Sequence, residues 1–426
     1  MTRSINADLP ATQTEPRAPG RRRRPMPAAL KAVAALFALA VVFIVAAILG
    51  GGGGDGEPST KGPAPVGEAP SAPAGTPASQ TAEQLGYPAF ATANTTRVGG
   101  ADPAANAAGV ALAVHPSIEP SQRPAAVTLV DADDWRTAIA ASVLVAAPVG
   151  APVLVSEADE MPEPTAAALA ALDPQGSGDT TGVQALAIGA AAAADLKTTR
   201  IGAGGVAGAA AIAALREKLA GSPPQHIVVA STASPAFAMP AAAWAARSGD
   251  PVLFTGPEAL PRPTEAALKA NPDTPVYVLG PSSAISSDVV REIASVARRV
   301  RRVAGEDPVA NAIALARYDD GSFGWDVNDP GHGFVLAGSG EPLDAAAAAA
   351  LSAAGAWGPL LLSDDAATLP AALRGYLLDV KPGYTTDPTR AFYNHIWVIG
   401  DQEAISVNEQ AELDELAALT EIGGGG

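Results

Sequence analysis

Nine short apolar runs punctuate the chain in three sets of three. The first set is VTLV from Val127, PVLVS from Pro152 and LAIG ending at Gly189. The second is IVVA from Ile227, PVLFT from Pro251 and VYVLG ending at Gly280. The third is FVLA from Phe334, PLLLS from Pro359 and IWVIG ending at Gly400. Continuous apolar runs of this length, alternating with helix-length segments, predict parallel strands buried on both faces. An alanine-rich stretch separates the first two runs of each set. Prolines (Pro162 and Pro164, Pro261 and Pro263, Pro370) follow the middle run and open another helical stretch. Each set therefore reads strand–helix–strand–helix–strand. With right-handed crossovers this gives a small three-layer α/β module of Rossmann/Toprim-like character.

Each set is preceded by a similar opening: TTRVGGADPAANAAGVAL from Thr95, TTRIGAGGVAGAAAIAAL from Thr198 and RRVAGEDPVANAIALA from Arg301. Arg97, Arg200 and Arg302 lie 103 and 102 residues apart. This is an internal repeat, with modules at 93–196, 197–298 and 299–422. A module of about 100 residues buries a limited share of its surface and is marginal alone. The helices predicted at Ala138–Ala147, Ala238–Ala246 and Ala345–Ala354 are about equally apolar. A linear row would need unlike, polar-capped ends. The even spacing instead predicts a closed, pseudo-threefold arrangement that unfolds as one unit.

Ahead of the modules the pattern changes. Ala32 to Leu49 is 18 residues without a charge, passing into Gly50–Gly54. At about 1.5 Å per residue this just spans a bilayer core near 30 Å. Arg21 to Arg24 and Lys31 flank it on the N-terminal side, which predicts one transmembrane helix with residues 1–31 cytoplasmic and the body extracytoplasmic. A cleaved signal peptide is the rival reading, but its apolar region is usually shorter. The chain has no cysteine, so neither a lipoprotein anchor nor a disulfide is available. Residues 50–92 are rich in Pro, Ala and Gly and read as an extended tether.

Charge narrows the function. The 31-residue tail carries seven basic groups against Asp8 and Glu15, while the remainder has 20 basic and 42 acidic residues, a balance of −22. Such a body does not suit nucleic acid. The four histidines, His115, His226, His332 and His395, are scattered, and no metal, cofactor or catalytic signature stands out. The glycine tract Gly202–Gly208 invites a dinucleotide reading, but DLKTTR before it is a poor strand and no acid follows at the expected distance. A close-packed turn of the repeat explains it better. In RYDDGSFGWDVNDPGHG from Arg317, the spacing of Asp319, Asp320, Asp326 and Asp329 fits no EF-hand loop, so a surface loop pinned by Phe323 and Trp325 is expected.

The landmarks together resemble the cell-wall-binding repeat 2 family. Arg97-Val98-Gly99-Gly100, Arg200-Ile201-Gly202-Ala203 and Arg302-Val303-Ala304-Gly305 are similar to its opening element. Gly150-Ala151-Pro152, Gly249-Asp250-Pro251 and Trp357-Gly358-Pro359 are similar to its proline strand, the last with Trp where glycine is usual. Of the family's helix-start aspartates only Asp344 remains; Thr137 and Ala236 stand at the other two positions. Pro103 and Pro308 replace a family arginine, and the closing Gly-Gly is reduced to Gly189-Ala190, Gly280-Pro281 and Gly400-Asp401. The resemblance covers about three quarters of the chain. It implies three modules around a pseudo-threefold axis that attach non-covalently to an anionic cell-wall polymer or a peptidoglycan-associated glycan, without catalysis.

Four residues are then candidates for ligand binding. Arg97, Arg200 and Arg302 could present equivalent cations to an anionic polymer, or pair with acids and cap carbonyls between modules. Asp344 could face a site at the C-terminal edge of a sheet, or act as a helix N-cap. Because the acidic body repels a polyanion, binding is expected in an arginine-bearing groove or through divalent-cation bridges. An extracytoplasmic small-ligand or protein-interaction module on the same fold is the alternative function, and an enzyme acting at the strand ends is a remoter one.

Overall fold

The computed structural model describes residues 90–157, 160–189 and 195–422. The basic tail, the apolar run at 32–49 and the linker up to residue 89 lie outside these. Among the described residues no helix is long and apolar enough to cross a membrane. The chain begins with β1 (Phe90–Ala91), β2 (Thr95–Val98), α1 (Pro103–Val114), β3 (Val127–Asp131), α2 (Trp135–Ala141), β4 (Val153–Ser156), α3 (Glu163–Leu172) and β5 (Ala185–Ile188). It continues with β6 (Thr198–Ile201), α4 (Gly205–Ala220), β7 (Ile227–Ser231), α5 (Pro235–Ser248), β8 (Val252–Thr255), α6 (Arg262–Ala270), β9 (Val276–Leu279) and α7 (Ser287–Val296). Then come β10 (Val300–Val303), α8 (Pro308–Arg317), β11 (Gly333–Gly338), α9 (Pro342–Ala350), β12 (Leu360–Ser363) and α10 (Ala371–Asp379). The last elements are β13 (Gly383–Tyr384), β14 (His395–Ile399), α11 (Val407–Ala417) and β15 (Thr420–Glu421).

The local signals are explicit in the residues. Asp102 and Asp307 cap α1 and α8, accepting from the amides of Ala105 and Ala310, with Pro103 and Pro308 at the first helical position. Ser286 and Ser406 cap α7 and α11 in the same way. After the proline openings of α3 and α6, Thr165 and Thr264 each donate a hydroxyl proton to a strand carbonyl, of Val155 and Phe254. That bond ties each helix to its sheet.

Three main parallel sheets result, with strand orders β4-β3-β5-β6, β8-β7-β9-β10 and β12-β11-β14-β2, and β13 pairs with β15 in a short two-stranded one. β1 adds to the third main sheet as an antiparallel edge on β2. The opening strands were not expected: TTR lacks an apolar run, yet Thr198–Ile201 pairs in parallel with β5, Ala187 opposite Arg200. β6 lies at the sheet edge and is half-exposed, so it needs little apolar content. Each opening strand joins the sheet formed by the three strands before it, and β2 closes the circle by pairing with β14, Arg97 opposite Val398. The helix after each opening strand packs onto the next sheet instead: α1 on β4, α4 on β8 and α8 on β12. Strand and helix thus staple adjacent modules.

The alanine-rich helices α2, α5 and α9 pack against one another, each touching the other two. Small side chains allow that close approach. Inward-facing residues of all three sheets, such as Val130, Phe254 and Val335, join these helices in a single shared core. Outward-facing strand residues form three separate clusters: Leu129 with α1 and α3, Val229 with α6 and α7, and Leu336 with α10 and α11. Each sheet is therefore covered on both faces, as its continuous apolar strands require.

Candidate functional site

The three arginines do not share one environment. Arg97 is buried. Its Nε donates to Gln410 Oε1 at 2.8 Å, its Nη1 to the carbonyls of Gly400 and Asp401 at 2.9 and 2.6 Å, and its Nη2 to Ile405 O at 2.7 Å. Burial lowers its pKa, while Asp401 and Glu409 act against that shift. Arg302 makes the matching bonds one module earlier, to Gly280 O at 2.6 Å and Ile285 O at 2.8 Å. Both guanidiniums tie the glycine that ends a closing strand to the loop behind it. Arg200 is exposed on edge strand β6. These contacts are those of the carbonyl-capping reading at Arg97 and Arg302.

Asp344 does lie at the C-terminal edge of a sheet. It is not the N-cap of α9: that position is Glu341, and Asp344 sits in the first helical turn. Its side chain is buried, with Oδ1 accepting from Asn106 Nδ2 at 3.0 Å. Asn106 also accepts from Gly100 N at 2.9 Å, so it clamps the β2–α1 turn to α9. Burial pushes the Asp344 carboxyl up to about 7, against the pull of the Asn106 bond. Asp344 and Asn106 line a crevice of about 410 Å³ beyond the ends of β2, β11, β12 and β14. In open α/β sheets this is where ligands sit. Asp102, Glu341, Asp364, Asp365, Asp401 and Glu403 surround it, and no Lys, Arg or His is among its lining residues. Behind it, Glu409 is buried next to Arg97, its carboxyl raised to about 7 chiefly by burial.

The equivalent seams are closed by other means. Asn311 repeats the role of Asn106, accepting from Gly305 N and donating to Phe237 O. In the second module Gly208 stands at this position; a Cβ there would meet Thr137 Cγ2 at 2.5 Å. Asp134 reaches across to accept from Gly205 N at 2.6 Å. The glycine tract therefore seats α4 against α2, and a side-chain carboxylate already occupies the end of α4.

One further cluster was invisible in the sequence. His226 Nδ1 lies 3.0 Å from Asp250 Oδ2, and His226 Nε2 lies 3.3 Å from Ser322 Oγ. This juxtaposes a serine, a histidine and an aspartate for which the sequence showed no signature. The amides of Ser322 and Phe323, the natural donors to an oxyanion, instead donate to Asp320 Oδ1. The cluster pins the loop after α8: Phe323 is buried and stacks on Tyr277 at 3.7 Å, beside Trp244 and Trp325. Burial would raise the Asp320 carboxyl, but hydrogen bonds from Tyr277 and from the Phe323 and Ser322 amides outweigh it and hold the group at about 2. Among the described residues no group of three or more His, Asp or Glu side chains could hold a metal ion.

Strand order, staples and seams are those of a three-module repeat, and the comparisons agree on the fold. Residues 200–290 match the family model of Cell wall binding domain 2 (CWB2). The match opens on Arg200, the landmark of the repeat. Among solved structures, Cwp6 from Clostridium difficile is similar with a TM-score of 0.60 and 19% identity, over 76% of this chain and 48% of that one. Cwp8 from Clostridium difficile is similar with a TM-score of 0.55 and 18% identity, over 76% of this chain and 52% of that one. The chain thus spans about half the length of these structures, and at such identity they show a shared fold. A search of curated protein sequences finds no match. The likeness to the cell wall binding domain 2 family is thus direct over residues 200–290.

Proposed function

We propose that this protein binds cell-wall polymer non-covalently from the outer face of a membrane, and that it has no catalysis of its own. The family match at residues 200–290 carries this reading. The closed three-module body supports it, because a single rigid unit presents several surfaces to a repeating polymer at once. The apolar run at 32–49, with its basic N-terminal flank, is proposed as the membrane anchor. The Pro/Ala-rich stretch after it would hold the body in the wall layer.

The acidic crevice constrains what is bound and how. Its carboxylates disfavour direct entry of a polyanion, and Arg97 behind them is committed to carbonyls. An anionic polymer would therefore bind through divalent cations shared between its charged groups and the crevice rim. Co-sedimentation of the full chain, in mild detergent, with purified walls tests this. Retention that falls when the anionic polymer is stripped from the walls, or when chelator is added, is expected. Equal retention on stripped walls with chelator present would remove the bridging reading and point to a neutral wall glycan.

A further inference from the structure

One backbone position differs between the modules in a telling way. The residue two before the proline of the middle strand is Gly150 in the first module, with φ of +63°, and Gly249 in the second, with φ of +80°. In the third it is Trp357, still left-handed with φ of +58°. A bulky residue in that conformation is a true outlier, and such outliers collect at functional sites. A five-residue π-helical turn, Leu351–Gly355, leads into it after α9. The Trp357 ring is not used in the core: it is 44% exposed, with the Arg247 guanidinium 5.3 Å from the ring centroid.

The same edge carries two more exposed rings. Phe392 is 73% exposed and Tyr393 69%. They lie three and two residues before β14, as Trp357 lies three residues before β12, and β11 runs between these strands. Neighbouring strands are about 4.8 Å apart, so the rings line an edge roughly 10 Å across. This is the end of the third sheet opposite the acidic crevice. The rings are exposed yet fixed. Asn394 is buried and accepts from Gly331 N at 2.9 Å and His332 N at 3.1 Å, while donating to Val380 O at 2.9 Å. Gly331, with φ of +104°, lies directly against the Phe392 side chain; a Cβ there would meet Phe392 Cβ at 2.8 Å. Preorganised, outward-facing aromatic rings are built to bind rather than to fold.

We propose that Trp357, Phe392 and Tyr393 form a glycan-binding edge that stacks on the uncharged pyranose rings of a polysaccharide. The axial C–H groups of a pyranose make an electropositive apolar face that suits the electronegative face of an aromatic ring. Its hydroxyls need donors and acceptors at the margin, and Arg247, His332 and the Tyr393 hydroxyl supply them. An uncharged chain also avoids the repulsion that the acidic body imposes on a polyanion. This inference rests on the wall-binding reading and gives it a second contact surface, separate from the crevice.

The test uses the full chain in mild detergent, titrated with an N-acetylglucosamine hexasaccharide and with glycan strands released from purified walls. Binding is read by calorimetry and by tryptophan fluorescence. The variants are Trp357→Gly, which restores the glycine of the other modules, and the exposed pair Phe392→Ala/Tyr393→Ala. We expect saturable binding of at least one glycan, weakened roughly tenfold by either variant, as for loss of an anchor residue, with unfolding temperatures unchanged. No binding of either glycan, or equal binding by wild type and variants, overturns the proposal. Loss in the variants of self-association or of lipid-vesicle sedimentation, without any glycan binding, overturns it in favour of a protein or membrane contact. Intact walls separate the two claims. Variants retained as well as wild type would sink this edge alone, whereas a wild-type chain not retained at all would sink wall binding itself.

Discussion

Arg97→Ala is the substitution that best separates a structural cation from a ligand-facing one. The wild-type guanidinium uses four N–H donors on Gly400 O, Asp401 O, Ile405 O and Gln410 Oε1. Truncation leaves these acceptors unsatisfied in a buried place, at about 1–3 kcal/mol for each one that water cannot reach. It also removes the cation beside Glu409. Some relaxation and water entry will follow, so a net loss of about 3–5 kcal/mol is expected, the range for breaking a buried charged cluster. At about 1.5–2 °C per kcal/mol for a body larger than those for which about 2–4 °C holds, the unfolding temperature should fall by roughly 5–8 °C. Arg97→Lys should recover only part of this, because one ammonium cannot reach acceptors on three sides. Arg200→Ala, at an exposed edge position, should cost under about 1 kcal/mol. Thermal and denaturant unfolding of the three variants measure this directly. An Arg97→Ala protein that melts with the wild type but no longer binds walls would refute the carbonyl-capping account.

The remaining predictions concern closure, pH and strain. Deleting residues 90–98 removes β1 and β2 and with them the pairing to β14; loss of cooperative unfolding by calorimetry is expected, since the deletion costs an amount comparable to the total stability of about 5–15 kcal/mol. An isolated module should likewise show no cooperative transition, because α2, α5 and α9 share one core. The Asp344 carboxyl is raised to about 7 in the fold, so between about pH 4 and 7 the folded state holds a proton that the unfolded state has lost. Stability from this group is therefore present at about pH 4 and is lost as pH rises through 7. Asp344→Asn, which keeps an acceptor for Asn106, should flatten that slope in denaturant titrations and stabilise the protein at pH 8. In Trp357→Gly, relief of about 1–2 kcal/mol of left-handed strain should roughly offset the added chain entropy of glycine, and a drop of more than about 2 kcal/mol by chemical denaturation would show that the exposed ring is a packing residue.

Much of this was legible in the residues, for identifiable reasons. The nine buried strands declare themselves because parallel sheets covered on both faces require continuous apolar runs. The arginine landmarks gave the period of the repeat. They could not show that Thr95–Val98 and Thr198–Ile201 are strands, because neither is a continuous apolar run: the first is paired on both sides by β1 and β14, and the second is a half-exposed edge. Nor could they show that each pairs backward, since the period is the same whichever neighbour the opening strand joins. Asp344 was recognisable as a helix-start residue, but its place inside the first turn of α9, rather than at the cap, depends on Glu341 ending the preceding loop. The meeting of His226, Asp250 and Ser322 spans nearly a hundred residues and leaves no local trace. Trp357 was the reverse case. It stood out in the sequence as a tryptophan where glycine is usual, and the structure supplies the reason it matters, a left-handed backbone under an exposed ring.

The most direct measurement for the account as a whole is a binding isotherm of the full chain, in mild detergent, on purified cell walls. An unrelated acidic membrane protein of similar net charge serves as the control. Saturable retention well above the control is predicted, with partial loss in Trp357→Gly and partial loss on addition of chelator. Retention no greater than that of the control, at any wall concentration, would contradict wall binding and leave the three-module body as a scaffold for some other ligand.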